Sequence, residues 1–154
     1  MNLINVNRLL QYAVQLEERG VNFYKAWAEK AETDELRMLF LMLSDEEKSH
    51  QEKFTRIAVY HKDPAKGFEI SQEYSAYLDQ FANEILFNEK EISMINGLKD
   101  AIEVAKKQEL DSMLFYTDIK NHVSAEYTEA VEQIISEERE HFTKLSNLQE
   151  KLNF

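Results

Sequence analysis

The sequence predicts an all-α protein, an antiparallel four-helix bundle of two helical hairpins joined by a long crossover with room for a short helix. Three observations predict it. Turn formers are scarce, with 3 glycines and 1 proline in 154 residues; apolar residues recur at three- and four-residue steps over four long stretches; and the pattern of the first hairpin returns about 92 residues later. Few turn formers leave few connections and favour long helices, while the spacing gives each helix one apolar stripe. A chain of this length is expected to form a single domain, residues 1–154, with hairpins at about 5–60 and 97–152 and the crossover at about 61–96.

The first helix is expected from Asn5 to about Lys30, where Leu9, Leu10, Ala13, Leu16, Phe23 and Trp27 keep the helical spacing. Thr33 or Asp34 then offers an N-cap with acidic residues in the first turn. Leu36, Leu39, Phe40, Leu43, Phe54 and Ile57 carry a second helix to about Tyr60. The run His61-Lys-Asp-Pro-Ala-Lys-Gly67 holds the single proline, so the helix is interrupted there. From Ser71 to Asn96 the chain carries Tyr74, Tyr77, Leu78, Phe81, Ile85, Leu86 and Phe87, too apolar for a disordered linker; a short helix packed on the bundle is expected. A third long helix runs from about Leu98 to Lys120, and Ser124 can cap a fourth that ends near Leu152.

A formal net charge of −11 at pH 7 repels nucleic-acid phosphate and anionic lipid head groups and attracts cations, so neither nucleic acid nor membrane is expected as a partner. No apolar run approaches the length of a membrane span, and the first residues lack a basic region followed by an apolar block, so a soluble, cytoplasmic protein is expected. With 0 cysteines there are no disulfides, thiolate ligands or cysteine nucleophiles. A metal would have to be held by oxygen and nitrogen.

The internal repeat carries the chemistry. Displaced by about 92 residues, Ala13, Glu17, Phe23 and Tyr24 fall on Ala105, Glu109, Phe115 and Tyr116. Displaced by about 91, LSDEEKSH (43–50) falls on IISEEREH (134–141), which matches Glu46, Glu47 and His50 with Glu137, Glu138 and His141. Each half reads Glu, seven residues to Tyr, then Glu-Glu-x-x-His. Residues three apart share a helix face, so Glu47 and His50 can reach one ion, as can Glu138 and His141. Seven residues make nearly two turns, which puts Glu17 and Tyr24 on one face, and likewise Glu109 and Tyr116.

These carboxylates are expected inside the bundle, because Leu16, Phe23, Leu43, Phe54, Ile134, Ile135 and Leu145 surround them. Four buried carboxylates repel one another and lose hydration, at a cost of several kcal/mol for each uncompensated ion. Two divalent cations balance them, with the imidazoles as neutral ligands. An oxygen and imidazole set without sulfur suits iron, manganese or sometimes zinc. A lone Glu on two helices plus Glu-x-x-His on two others is a general arrangement of di-iron and di-manganese bundles.

One Glu-x-x-His in a Glu-rich chain is as easily a solvated helix face; two copies at matched positions, each preceded by Glu and Tyr, are not. Tyr24 and Tyr116 read either as ordinary core aromatics or as hydrogen-bonding partners of a ligating carboxylate. Glu46 and Glu137 lie about 100° round the helix from Glu47 and Glu138 and read as surface neighbours. His61 and His122 are expected as solvated or capping residues at helix ends, and Met38, Met42, Met94 and Met113 as core filler. Glu29, Glu32, Glu35, Glu126, Glu129 and Glu132 read as solvated faces.

The segments LEERGVNFY, DEEKSH, QELDSMLFY and SEEREH resemble the rubrerythrin family of ferritin-like di-iron carboxylate proteins, over about residues 5 to 152 except for the crossover. The resemblance implies a ferritin-like bundle, two iron ions, with manganese or zinc as substitutes, and metal ligands Glu17, Glu47, His50, Glu109, Glu138 and His141. Glu47 and Glu138 are implied as bridging carboxylates, and Tyr24 and Tyr116 as neighbours in the reaction site. The sequence departs from the family in two ways. It carries no rubredoxin-like cysteines, so its reductant is expected to be a separate donor protein. The further glutamate that the family places one turn from the third-helix ligand is replaced by Lys106 or Ser112, and Glu103 lies about 120° off that face; the family's redox-linked ligand exchange is therefore not expected.

These implications lead to a non-haem di-iron oxidoreductase that reduces hydrogen peroxide with electrons from outside, in a homodimer. Two alternatives share the ligands: a ferroxidase that handles iron with oxygen or peroxide as oxidant, and a bundle whose ions only neutralise buried carboxylates.

Overall fold

The computed structural model describes residues 6–62, 71–86 and 89–154, with the backbone of 3–4 and 68–69. It divides into two compact units, Met1–Ser71 and Gln72–Phe154.

The first unit is a helical hairpin. α1 (Val6–Lys30) and α2 (Asp34–Tyr60) match the predicted first hairpin. Thr33 starts α2 as predicted: its Oγ1 accepts from the Leu36 amide at 3.2 Å, and Asp34 and Glu35 sit in the first turn, where the helix dipole favours negative charge. The buried stripe of α1 includes Val6, Leu9, Leu10, Ala13, Leu16, Glu17, Val21, Tyr24 and Ala28, and that of α2 includes Leu36, Phe40, Leu43, Glu47, His50, Phe54 and Ile57. Phe23 and Trp27 lie at the margin of the hairpin, half-buried, with the Lys30 ammonium 4.8 Å from the Trp27 ring centroid. Two short strands, β1 (Leu3–Ile4) and β2 (Phe68–Glu69), pair antiparallel. Nothing in the apolar spacing announces them, since two residues are too few to show alternation.

One sequence expectation fails here. Met38 is 70 % exposed and Met42 is exposed too, because both sit on the side of α2 turned away from Leu36, Phe40 and Leu43. They are not core filler, and neither is Met94, which is exposed as well; Met113 is half-buried. Of the two roles expected for His61, solvated or capping, the structure shows the cap: it ends α2 with its amide donating to the Ile57 carbonyl at 3.1 Å, and its ring is buried edge-on against Tyr60.

The second unit contains α3 (Gln72–Leu86), α4 (Glu89–Ser93), α5 (Leu98–Lys120) and α6 (Ala125–Lys151), the last with Ser124 as N-cap. α5 and α6 are the predicted second hairpin, and α3 is the short helix expected in the crossover. It buries Leu78, Ala82, Ile85 and Leu86, and Phe81 meets Phe115 of α5 at 5.9 Å between ring centroids. At its start Tyr74 stacks on His122 at 5.4 Å and donates its phenol to the Asp118 carboxylate at 2.5 Å. Burial, and then that hydrogen bond to an anion, raise the Tyr74 pKa well above the ordinary tyrosine range. His122 ends α5 as expected, its Nδ1 2.7 Å from the Asp118 carbonyl. The predicted break at Pro64 to Gly67 and the aromatic Phe87 lie outside the described residues.

Candidate metal centre

Each hairpin brings together one lone glutamate and one Glu-x-x-His pair. In the first, Glu17 occupies the turn of α1 between Ala13 and Val21, inside the apolar stripe. Glu47 and His50 occupy matching positions on α2 between Leu43 and Phe54. His50 Nδ1 lies 3.3 Å from Glu47 Oε2 and 3.5 Å from Glu17 Oε2. In the second, His141 Nδ1 on α6 lies 3.1 Å from Glu138 Oε2 and 3.6 Å from Glu109 Oε2 of α5. All six residues are buried, none more than 4 % exposed. Within each trio the donor atoms lie within 4.8 Å of one another.

The donor set fits a metal ion. Oxygen and imidazole donors bind at about 2.1 Å, so two ligands of one ion, set between a right angle and 120° apart, lie about 3.0 to 3.6 Å from each other. The four nitrogen–oxygen separations, from 3.1 to 3.6 Å, fall in that range. The chemistry agrees: two carboxylates and one imidazole per hairpin, with no sulfur in the chain, is a hard to borderline set suited to iron, manganese or zinc. In both trios Nδ1 is the imidazole nitrogen that faces the carboxylates.

The remaining sequence-predicted residues separate clearly. Tyr24 and Tyr116 are 2 % and 0 % exposed. Tyr24 stacks on Phe40 at 6.2 Å and meets Phe23 edge-on at 5.6 Å, while Tyr116 packs on Phe115 at 6.2 Å. Both therefore hold core positions on the buried faces that carry Glu17 and Glu109. Glu46 and Glu137 are half-buried beside those faces. Glu103 is exposed, and the Lys106 ammonium turns to Gln149 Oε1 at 2.8 Å and to the Phe142 ring at 5.1 Å. Ser112 is buried one turn beyond Glu109, so a small hydroxyl stands at the position compared above with a glutamate.

Two contacts escaped the sequence reading. Gly20 lies against Glu47: a Cβ there would come 3.2 Å from Glu47 Cγ. One turn before Glu47, the buried Ser44 donates its hydroxyl to the Val21 carbonyl at 3.1 Å, bonding α2 to α1. Neither residue bears a charge or a motif; the only available signals were a glycine inside a helix and a serine inside an apolar stripe.

Among the described residues no helix is long and apolar enough to cross a membrane. No protein with a curated description matches the chain. A solved structure from Thermotoga maritima, described as a ferritin-like diiron-carboxylate protein, is 26 % identical in sequence; the alignment covers 97 % of each chain with a TM-score of 0.72, which gives this chain the ferritin-like fold. The rubrerythrin family pattern matches residues 8–149, a span that holds nearly all of both hairpins and all six buried donor residues, and the chain belongs to the rubrerythrin family.

Proposed function

We propose that the protein is a non-haem di-iron oxidoreductase that reduces hydrogen peroxide with electrons from a separate donor protein. The observation that carries this reading is the duplicated trio of buried donors at ligand-like separations, one in each hairpin. Membership of the rubrerythrin family and the likeness to a diiron-carboxylate protein support iron as the metal. Glu17, Glu47, His50, Glu109, Glu138 and His141 would hold it.

Bound ferrous iron would supply two electrons, one from each ion, to break the peroxide O–O bond. The chain's own residues do the rest. Four carboxylates offset the four positive charges of two divalent ions, and neutral imidazoles complete the set without adding charge. Burial of these side chains keeps bulk water away, which strengthens every interaction among them. Tyr24 and Tyr116, each seven residues from a glutamate on the same helix face, would hold ligating carboxylates in orientation through their hydroxyls. The exposed Met38, Leu41 and Met42 of the first unit fit a contact between the protomers of a homodimer, which light scattering checks.

The test is anaerobic loading with Fe(II), then stopped-flow absorbance after mixing with peroxide or oxygen, with Glu47→Ala as control. Fast oxidation by peroxide, slow oxidation by oxygen and two irons retained per chain are expected. Equal reactivity with oxygen and continued iron uptake would replace this reading with a ferroxidase; tight binding without oxidation would leave a non-catalytic metal-binding bundle.

A further inference from the structure

Gly20 sits in the interior of α1, three residues after Glu17, where glycine weakens a helix relative to alanine. Its surroundings account for it. A Cβ built at Gly20 would lie 3.2 Å from Glu47 Cγ and 3.3 Å from Cδ, closer than a carbon normally approaches, and 3.4 Å from Oε1. The other carboxylate oxygen, Oε2, is 3.3 Å from His50 Nδ1. The Glu47 carboxylate is thus held between the bare backbone of α1 and the imidazole on its own helix. Ser44 reinforces the approach, because its bond to the Val21 carbonyl draws α2 onto α1 one turn away.

We propose that Gly20 is a positioning residue: by carrying no side chain it seats the Glu47 carboxylate at the depth needed to bind metal. The inference rests on the metal-binding reading above and goes beyond it by assigning a role to a residue with no ligating atom. It concerns the first hairpin specifically, since the repeat-related residues of the second are Ser112 in place of Gly20 and Ile135 in place of Ser44. In a metal-free protein Glu47 can swing by the few tenths of an ångström that an added Cβ demands. With ions bound, its carboxylate is pinned, and the added methyl works against binding.

Gly20→Ala therefore moves two properties in opposite directions. The metal-free protein melts about 2 to 4 °C higher, from the gain in helix propensity. Binding of Co(II), followed by its visible absorption, weakens about tenfold, as when other supports of a metal ligand are disturbed, and the band shape changes with it. Gly97→Ala is the control: a Cβ at Gly97 meets nothing within 4 Å, so Co(II) binding stays as in the parent. Unchanged Co(II) affinity and spectrum in Gly20→Ala would overturn the proposal, as would a melting temperature that falls together with affinity, which marks ordinary packing. A parent protein that binds no Co(II) would overturn the metal-binding reading itself, an outcome distinct from both.

Discussion

Replacing Glu47 with glutamine tests the metal reading through stability, free of any assumption about turnover. The amide has nearly the shape and volume of the carboxylate, and Glu47 is 4 % exposed, so the substitution leaves the packing of α2 on α1 intact while removing an anionic donor. A metal that binds only the folded chain stabilises it by RT ln(1 + [M]/Kd), about 2.7 kcal/mol at a hundred times Kd. At about 2 to 4 °C per kcal/mol for a chain of this size, the parent should melt roughly 5 to 11 °C higher with metal than with chelator. Loss of a direct ligand weakens binding at least as much as loss of an outer support, which alone costs about 10- to 100-fold. At a hundredfold loss the same metal concentration equals Kd, and stabilisation falls to about 0.4 kcal/mol, or about 1 to 2 °C. The assay is thermal unfolding by circular dichroism with chelator and with anaerobic Fe(II), alongside Glu46→Gln, whose parent residue lies about 100° round the helix and whose loss should change nothing. A full metal-linked rise in Glu47→Gln would refute the assignment. So would a collapse of its metal-free melting temperature, which would make Glu47 a structural residue.

Two further predictions concern the frame. Thr33→Ala removes the hydroxyl that accepts from the Leu36 amide and should cost about 1 kcal/mol, a fall of about 2 to 4 °C in melting temperature, with metal stoichiometry unchanged. Tyr74 should ionise above the ordinary tyrosine range in an ultraviolet phenolate titration, because burial and the bond to Asp118 both favour its neutral form. A phenol pKa raised by folding contributes stability below about pH 10, lost as pH climbs through the folded value. Asp118→Asn should bring Tyr74 back toward the ordinary range, and no shift in that variant would show that Asp118 is not its anionic partner.

Much of this molecule was legible because two signals coincide in the sequence. Apolar spacing marks the stripes of α1, α2, α5 and α6, and Glu17, Glu47, Glu109 and Glu138 interrupt those stripes at buried positions. A charged residue inside an apolar stripe is conspicuous, and repetition of four of them at fixed offsets removes coincidence. Where the structure departs from the sequence pattern, there is a physical reason too. Met38 and Met42 are apolar and so suggest core positions, yet their phase on α2 turns them outward, and phase, not residue type, decides burial. For His61 the position at a helix end leaves solvent and cap both open, and the cap holds because that end is itself covered. The contacts of Gly20 with Glu47 and of Ser44 with Val21 depend on how far one helix of a hairpin slides along the other. Periodicity tells which face is buried and leaves that register open.

The placement of the glutamates also bears on why they are there. An apolar side chain at Glu17, beside Ala13, Leu16 and Val21, would complete the stripe of α1 without the desolvation cost of an ion. The same holds at Glu109, beside Ala105 and Ser112 on the buried face of α5. A charge retained inside a stripe otherwise built for burial departs from local consistency, and such departures mark function more often than folding. Here the departure is made twice, at matched positions, and each time with a histidine whose Nδ1 faces the carboxylates. An ion pair kept only for stability would not require this, since hydrophobic replacements of buried ion pairs are often neutral or stabilising. A cation that converts carboxylate repulsion into coordination does require it, and it accounts for the depth, the residue types and the duplication together.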